Sequence, residues 1–346
     1  MEQNIKQRIA DIRRGNVPAG YKRTKLGIIP IGWQTPELNS VLSENKERNR
    51  SGKFGKEDVL SVSGEFGVTN QIKLLGRSFA GVSVKDYHVV ESGNIVYTKS
   101  PLKSNPYGII KLNKGETGIV STLYAVYNCK SHEIGTYLDY YFSIDQNVNN
   151  YLRPLVRKGT KNDMKINNED VLKGRIILPS ETEIARIVEI LGCCDRMIAL
   201  KKELIAEKRR QKEALMQKLL NPDSGFRLPG FAGEWDIYKL SDCVKIAKDK
   251  INPANCDDSY KCVELEHIES GTGKLLGHCS PRGLKSIKTV FHKNDILFGK
   301  LRPYLKKIAI APFCGICCSE CIVFNINNDI IPIFLYNRLL LDDFIG

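Results

Sequence analysis

The sequence predicts an α/β (α+β) protein built from two homologous domains that are separated by a long, coiled-coil-forming helix. Three observations predict this fold class. A heptad pattern occupies residues 180–221, β-rich runs with glycine and proline turns lie on both sides of it, and several segments recur in the same order further along the chain. With 346 residues, the chain has room for two or three domains of roughly 100 to 200 residues each.

The composition is that of a folded protein. Apolar residues make up 42% and charged residues 26% of the chain, which excludes a disordered or fibrous protein. No apolar run approaches the ~18 residues of a membrane span, and the first residues are polar and charged. We therefore expect a cytoplasmic protein that does not contact a membrane. Its eleven cysteines are expected to be reduced thiols.

Positive charge is concentrated in particular segments. The net charge is +13, and residues 281–312 carry eight basic residues against the single acid Asp295. Residues 153–175 carry seven basic residues against three acids. Clustered basic residues favour a surface that meets phosphate groups, so the charge indicates a nucleic-acid partner.

A long helix is predicted between Ser180 and Asn221. Ser180 and Glu183 form a capping-box pattern directly after Pro179, and Pro222 with Gly225 ends the helical pattern. At 1.5 Å per residue the helix would be roughly 60 Å long. Its narrow apolar seam, interrupted by lysines, predicts pairing with another helix of this chain or of a partner. The predicted helix–helix interface comprises Ile184, Ile187, Leu191, Ile198, Ile205, Leu215 and Leu219.

The two flanks of this helix are related to each other. Trp33 and Trp235 are each followed five residues later by a leucine, and Asn94–Lys99 matches Asp295–Lys300. Further on, Gly118 to Tyr127 matches Gly315 to Phe324, and Tyr137-Leu138 matches Phe334-Leu335. Four segments in one order with nearly constant offset predict two copies of one domain. The predicted limits are a polar N-terminal segment (1–25), domain 1 (26–179), the spacer helix (180–221) and domain 2 (228–346).

The same offset makes a prediction about the second copy. Counterparts of residues 149–220 would fall beyond Gly346. We therefore expect domain 2 to be incomplete and a second spacer helix to be missing from this sequence.

Several motifs resemble those of one known family. They are Gly20-Tyr21-Lys22 leading to Ile29-Pro30-Ile31-Gly32-Trp33, Ile177-Leu178-Pro179 with Glu183 and Ile187–Leu191, Leu215–Leu220 followed by Arg227–Phe231, and Phe298–Tyr304. Over essentially its whole length, the sequence resembles a specificity subunit of a type I restriction-modification system. It departs from the family pattern after Glu183, where Ile184 replaces the usual glutamine.

The resemblance implies a protein that binds DNA without being catalytic itself. Its two target-recognition domains would each read one half of a split DNA sequence, and the helix would set their spacing. Methyltransferase (modification) subunits and an ATP-driven motor-nuclease (restriction) subunit are the implied partners. S-adenosylmethionine, ATP and Mg would bind to those partners and not to this chain, and no catalytic or metal-binding residues are assigned to it.

Basic and polar residues next to strand-like runs are the predicted DNA contacts. In domain 1 they lie after the run ending at Thr98 and in the basic segment 153–175, and in domain 2 they follow Phe298. Lysine and arginine suit phosphate contacts, while loop side chains would read base edges. The candidates are Lys99, Ser100, Lys103, Arg153, Lys158, Lys161, Lys300, Arg302, Tyr304, Lys306 and Lys307.

Alternatives remain at this stage. The chain could be a coiled-coil scaffold or interaction protein, or an inactive truncated specificity fragment that could also self-associate through its helix. The sequence shows no set of catalytic residues that would indicate a self-contained nuclease. Cys314, Cys317, Cys318 and Cys321 have the spacing of a metal site, but the matching segment of domain 1 has no cysteine, so a packed strand is the simpler interpretation.

Overall fold

The structure is a computed structural model that describes residues 2–158, 164–257, 260–327 and 329–345. It divides into two compact units, unit 1 up to Ala199 and unit 2 from Leu200 onward. The predicted domain limits are finer than this division and stay predictions. None of the helices in the described ranges combines the length and apolar character that crossing a membrane requires.

Unit 1 is a mixed α and β structure that ends in the first half of the long helix. Its helices are α1 (Glu2–Arg13), α2 (Gln71–Leu75), α3 (His132–Ser143), α4 (Asp145–Leu152), α5 (Asn168–Val171) and α6 (Glu181–Leu220), the last continuing into unit 2. Its strands are β1 (Tyr21–Thr24), β2 (Gly27–Pro30), β3 (Leu42–Glu44), β4 (Leu60–Ser63), β5 (Gly67–Asn70), β6 (His88–Val90), β7 (Ile95–Thr98), β8 (Ile109–Leu112), β9 (Gly118–Val120), β10 (Tyr124–Cys129), β11 (Arg157–Lys158) and β12 (Met164–Lys165).

Unit 2 begins with the second half of α6 and repeats the same types of element. Its further helices are α7 (Leu240–Cys243), α8 (Pro332–Leu339) and α9 (Asp342–Ile345). Its strands are β13 (Val244–Ile246), β14 (Lys250–Ile251), β15 (Cys262–Val263), β16 (Lys288–Phe291), β17 (Ile296–Gly299), β18 (Ile308–Ile310), β19 (Gly315–Cys317) and β20 (Cys321–Ile326).

Each unit contains a four-stranded antiparallel sheet with the same strand order. The order is β3-β10-β7-β8 in unit 1 and β13-β20-β17-β18 in unit 2. The register agrees as well, since Tyr127 faces Ile95 in unit 1 and Phe324 faces Ile296 in unit 2. These are the segments whose repetition the sequence predicts, so the prediction of two homologous domains is confirmed.

A second layer of strands repeats too. In unit 1, β6 pairs with β9 and Val59 bridges Ile119 in parallel. In unit 2, β16 pairs with β19, and Cys262 of β15 pairs in parallel with Ile316. The central strands are therefore covered on both faces, which explains why they read as continuous apolar runs.

Alternate side chains of the central strand enter two different cores. In β7, Ile95 and Tyr97 pack with helix α3, whereas Val96 packs with Leu60 of β4. In β17, Ile296 packs with helix α8, and Leu297 packs with the second layer of strands. This period of two is the alternation expected of a strand with two buried faces.

The helix α6 begins with the predicted capping box. The Ser180 hydroxyl accepts from the Glu183 backbone N–H at 3.4 Å, and the Glu183 carboxylate accepts from the Ser180 N–H at 3.3 Å. The indole Nε1 of Trp33 donates to the same carboxylate at 3.1 Å. These bonds fix the direction in which α6 leaves unit 1.

Candidate nucleic-acid interface

The first candidate surface lies in unit 1, in the loop that joins β7 to β8. Ser100 and Lys103 are exposed on this loop. The loop is held from inside, because the Tyr97 hydroxyl donates to the carbonyl of Tyr107 at 2.8 Å and Asn149 of α4 donates to the carbonyl of Ser104 at 2.9 Å. A loop anchored in this way presents its outer side chains in a defined position.

Lys99 is bonded to other parts of unit 1. Its Nζ donates to the Ile166 carbonyl at 3.1 Å and to Asn168 Oδ1 at 2.7 Å, and the Asn168 amide in turn donates to Glu44 at 2.7 Å. Burial lowers the pKa of Lys99, although the nearby Glu44 raises it. The ammonium group is thus engaged within unit 1, which favours a role in positioning the loop, and the predicted DNA contact of Lys99 stays a prediction.

The other unit 1 candidates lie around the same loop. Arg153 is exposed at the end of α4, the helix that holds the loop through Asn149. Lys158 lies in β11, which pairs with β12, and Lys99 binds the backbone just after β12. Lys161 lies outside the described residues. The loop, the end of α4 and the β11–β12 hairpin are therefore connected parts of one region.

The equivalent loop of unit 2 joins β17 to β18 and carries the densest set of candidates. Lys300, Arg302 and Tyr304 are exposed, and Tyr304 keeps 68% of its surface accessible. Arg302 and Lys306 both have positive φ, at 50° and 48°, on either side of a short 3-10 turn. Such backbone costs on the order of 1 kcal/mol or more for a non-glycine residue and is frequent at binding sites.

Two candidates of this loop are tied to the protein. The Lys307 Nζ donates to the Leu265 carbonyl at 2.8 Å, and Lys306 forms an ion pair with Asp342 at 2.6 Å. Both side chains are half-buried. They position the loop, so Lys300, Arg302 and Tyr304 are the residues best placed to meet DNA in unit 2.

The structure also indicates a pair that the sequence prediction missed. The guanidinium of Arg77 lies 4.6 Å from the centre of the Phe79 ring, and both residues are exposed in unit 1. An exposed cation over an aromatic ring can stack on a base or bind a phosphate. No basic cluster surrounds these residues in the sequence, which is why charge density alone did not reveal them.

The predicted helix–helix interface divides into buried and exposed parts. Ile184 is only 2% exposed and lies in the core of unit 1, where Ile187 also packs. The prediction is therefore wrong for Ile184, which anchors α6 and does not face a partner. Leu191, Ile198, Ile205 and Leu215 are exposed, and Leu219 is half-buried near the end of α6.

Other apolar side chains widen the exposed seam. The additional exposed residues of α6 are Ile190, Met197, Leu200 and Leu204. An apolar stripe of this length is typical of a helix that pairs with another helix.

Comparison with known proteins finds similarity to a subunit of a type I restriction enzyme. No family model matches the chain. The type I restriction enzyme EcoDI specificity subunit of Escherichia coli is 28% identical over 212 residues, which are 55% of this chain and 47% of that protein. The resemblance to type I specificity subunits is confirmed. The match spans about half the length of the EcoDI subunit.

Solved structures from type I restriction-modification systems align at low similarity. A structure described as the basis of complex assembly and conformational transition of the type I R-M system aligns with a TM-score of 0.46 and 16% identity, over 90% of this chain and 80% of that chain. The HsdS subunit of Thermoanaerobacter tengcongensis gives 0.42 and 14%, over 92% and 84%. The type I S subunit of M. genitalium gives 0.44 and 15%, over 89% and 76%.

Proposed function

We propose that this chain is the sequence-specific DNA-binding subunit of a type I restriction-modification complex. The observation that carries the proposal is the match to a type I specificity subunit over 212 residues. The duplicated sheet supports it, because two copies of one domain suit a target with two separate halves. The chain would be non-catalytic and would direct partner subunits to a bipartite target.

The two loops would make the DNA contacts. Lys300 and Arg302 in unit 2, and Lys103 and Arg153 in unit 1, would bind phosphates and supply affinity that falls with salt. Ser100 and Tyr304 carry hydroxyls that can reach base edges or sugars, so they are the candidates for sequence preference.

The partners would bring the chemistry. Methyltransferase subunits would use S-adenosylmethionine to methylate adenine, and a motor-nuclease subunit would use ATP and Mg to translocate and cleave DNA. The exposed seam of α6, centred on Ile198 and Ile205, would receive a helix from such a partner or from a second copy.

A direct test measures DNA binding across a series of salt concentrations. The chain with its modification subunit is titrated with duplex DNA, and the same titration is done with Lys300→Ala and Arg302→Ala. Each variant should weaken binding and make the slope of log K against log salt shallower by about 0.9, the value for one lost phosphate contact. Lys248→Ala, an exposed lysine of unit 2 outside the loop, is the matched control. Unchanged affinity and slope in both loop variants would reject this loop as a DNA contact.

A scaffold protein is the second candidate, and the exposed α6 seam is the observation that favours it. Light scattering of the chain alone at micromolar concentration should show self-association, and Ile198→Glu with Ile205→Glu should give a monomer. A monomeric parent chain would reject self-association through α6. DNA binding that is absent at low salt, even with the modification subunit, would favour the scaffold over the specificity subunit.

A further inference from the structure

A group of side chains that could hold a metal ion lies in unit 2, next to Leu265, whose carbonyl accepts from Lys307 of the β17–β18 loop. Cys262 at the start of β15, Glu264 two residues later and Cys279 offer one ligand atom each, and these atoms all lie within 4.8 Å of one another. The Cys262 Sγ lies 3.6 Å from Glu264 Oε1. A tetrahedral zinc ion with Zn–S bonds of about 2.3 Å and Zn–O bonds of about 2.0 Å places its ligand atoms roughly 3.5 to 3.8 Å apart, so the spacing suits zinc.

The backbone presets this arrangement. Cys262 and Cys279 exchange two backbone hydrogen bonds of 2.9 Å, so their side chains lie on directly paired residues. Cys262 is fully buried, whereas Glu264 and Cys279 are half-buried. Three ligands from two paired segments, with one side accessible to solvent, leave a fourth position for water.

Lys288 supports the carboxylate. Its Nζ donates to Glu264 Oε1 at 2.6 Å, and its side chain is only 3% exposed. A site with two thiolates and one carboxylate would carry one net negative charge with Zn²⁺ bound, and the ammonium group compensates it. A second hydrogen bond to a ligating carboxylate is typical of metal sites, because it holds the ligand in place.

The first copy of the domain shows that the fold does not require these residues. The strand pairings place Val59 and Ser61 at the positions of Cys262 and Glu264, and Tyr87 at the position of Lys288. A buried ion pair of this kind is often no more stabilising than apolar residues of similar size. Packing alone therefore gives no reason for two thiols, a carboxylate and a lysine to meet here.

We propose that Cys262, Glu264 and Cys279 bind one zinc ion that fastens β15 to the segment around Cys279. The thiols would release their protons on binding, and the ion would replace the hydrogen that Cys262 directs toward Glu264. The cysteines singled out from the sequence are different ones. Cys317, Cys318 and Cys321 are buried in the apolar core of unit 2.

The test is zinc binding by the full chain. The reduced protein is stripped with a chelator, titrated with Zn²⁺ alone and analysed for bound metal. We expect one ion per chain, and Co²⁺ in its place should give the thiolate-to-metal charge-transfer absorption that appears only with sulfur ligands. Cys279→Ser should weaken binding at least about 100-fold, more than the 10- to 100-fold typical of losing a group that only supports a ligand.

A matched variant keeps the result interpretable. Cys314→Ser, at an exposed cysteine of the same unit, should retain the ion. Because Cys262 is buried and its replacement could unfold the unit, Glu264→Gln serves as the second test variant, and circular dichroism checks that each variant is folded. The proposal is overturned if the parent chain binds no zinc, if folded Cys279→Ser and Glu264→Gln both keep it, or if peptide mapping of untreated protein shows Cys262 and Cys279 joined as a disulfide.

Discussion

Unit 1 and unit 2 use the same four-stranded sheet with the same register, yet the second layer of strands carries different polar residues in the two units. In unit 1 a buried histidine, His88, lies at the position of Thr289 in unit 2. In unit 2 the Glu264–Lys288 ion pair lies where unit 1 has Ser61 and Tyr87. The apolar frame is thus constant, while the polar residues attached to it have diverged.

The loops that follow the central strands β7 and β17 also differ between the two units. In unit 1, Lys99 is held by the carbonyl of Ile166 and the side chain of Asn168. In unit 2, the equivalent Lys300 is exposed, and the loop is shaped instead by the positive-φ residues Arg302 and Lys306. Different loops on one frame are what a protein with two separate recognition halves requires.

The two tryptophans that mark the repeat also diverge. Trp33 binds Glu183 at the start of α6. Trp235 stacks against Phe334 at 6.5 Å and lies under Arg227 at 4.5 Å. A conserved sequence position therefore supports a helix start in one unit and an aromatic contact in the other.

The largest loss of stability should come from replacing a buried residue of the central strand β7. Tyr97 is fully buried in β7 and its hydroxyl binds the Tyr107 carbonyl, so Tyr97→Ala should lower the free energy of unfolding by about 3 to 5 kcal/mol. Phe298 is the equivalent residue of unit 2 and is only partly buried, so Phe298→Ala should cost less. Urea denaturation followed by circular dichroism measures both, and an equal or reversed order would contradict the burial difference.

The next effect concerns the pH dependence of unit 1. Burial lowers the pKa of His88 to about 4, with a smaller contribution from Arg48, and its Nδ1 has no hydrogen-bond partner among the described residues. His88 is protonated below about pH 6.5 in the unfolded chain but only below about pH 4 in the folded chain. The free energy of unfolding is therefore highest above pH 6.5 and falls by about 3 kcal/mol as the pH drops to 4.

His88→Thr copies the residue found in unit 2 and tests this origin. Between pH 7 and pH 4 the unfolding free energy of the variant should fall by about 3 kcal/mol less than that of the parent chain. Thermal denaturation at both pH values checks it, and a variant with the parent's pH dependence would show that another group is responsible.

A third prediction separates the two loop lysines. Lys99→Ala should destabilise the fold by about 1 to 3 kcal/mol, because it removes two hydrogen bonds from a charged donor to half-buried acceptors, and should leave the salt slope of DNA binding unchanged. Lys300→Ala should change stability by less than about 0.5 kcal/mol and should make the slope shallower. A shallower salt slope for Lys99→Ala together with a loss of stability for Lys300→Ala would contradict our interpretation of the two loops.

The smallest effect is expected at the start of α6. Ser180→Ala removes the capping hydroxyl and should cost about 1 kcal/mol, while Thr182→Ala, which leaves the capping box in place, should cost less. Urea denaturation measures both variants. Equal losses would show that the Ser180 hydroxyl does not stabilise the helix start.

Much of the fold could be predicted from the sequence. The capping box at Ser180 and the repeated strands Ile95–Thr98 and Ile296–Gly299 depend on local spacing, and the structure confirms both. The exposure of individual lysines could not be predicted, because Lys99 and Lys300 follow equivalent strands and Lys99 is held by Ile166 and Asn168, which lie far away in the sequence. Ile184 was misassigned for the same reason, since an apolar seam does not reveal which turn packs on a domain.

The zinc ligands illustrate the same limit. Cys262 and Glu264 are neighbours in sequence, but Cys279 joins them only through the pairing of two extended segments. The cysteine spacing at Cys314–Cys321 was the stronger local pattern, and it belongs to buried strands and their turn. Tertiary pairing, and not motif spacing, decides which thiols meet.

The most direct test of the central claim is selection of DNA duplexes from a randomised library by the chain together with its modification subunit. A protein with two diverged recognition domains predicts enriched duplexes that share two short defined blocks at one fixed separation. Enrichment of a single uninterrupted block, or of no common sequence, would contradict it.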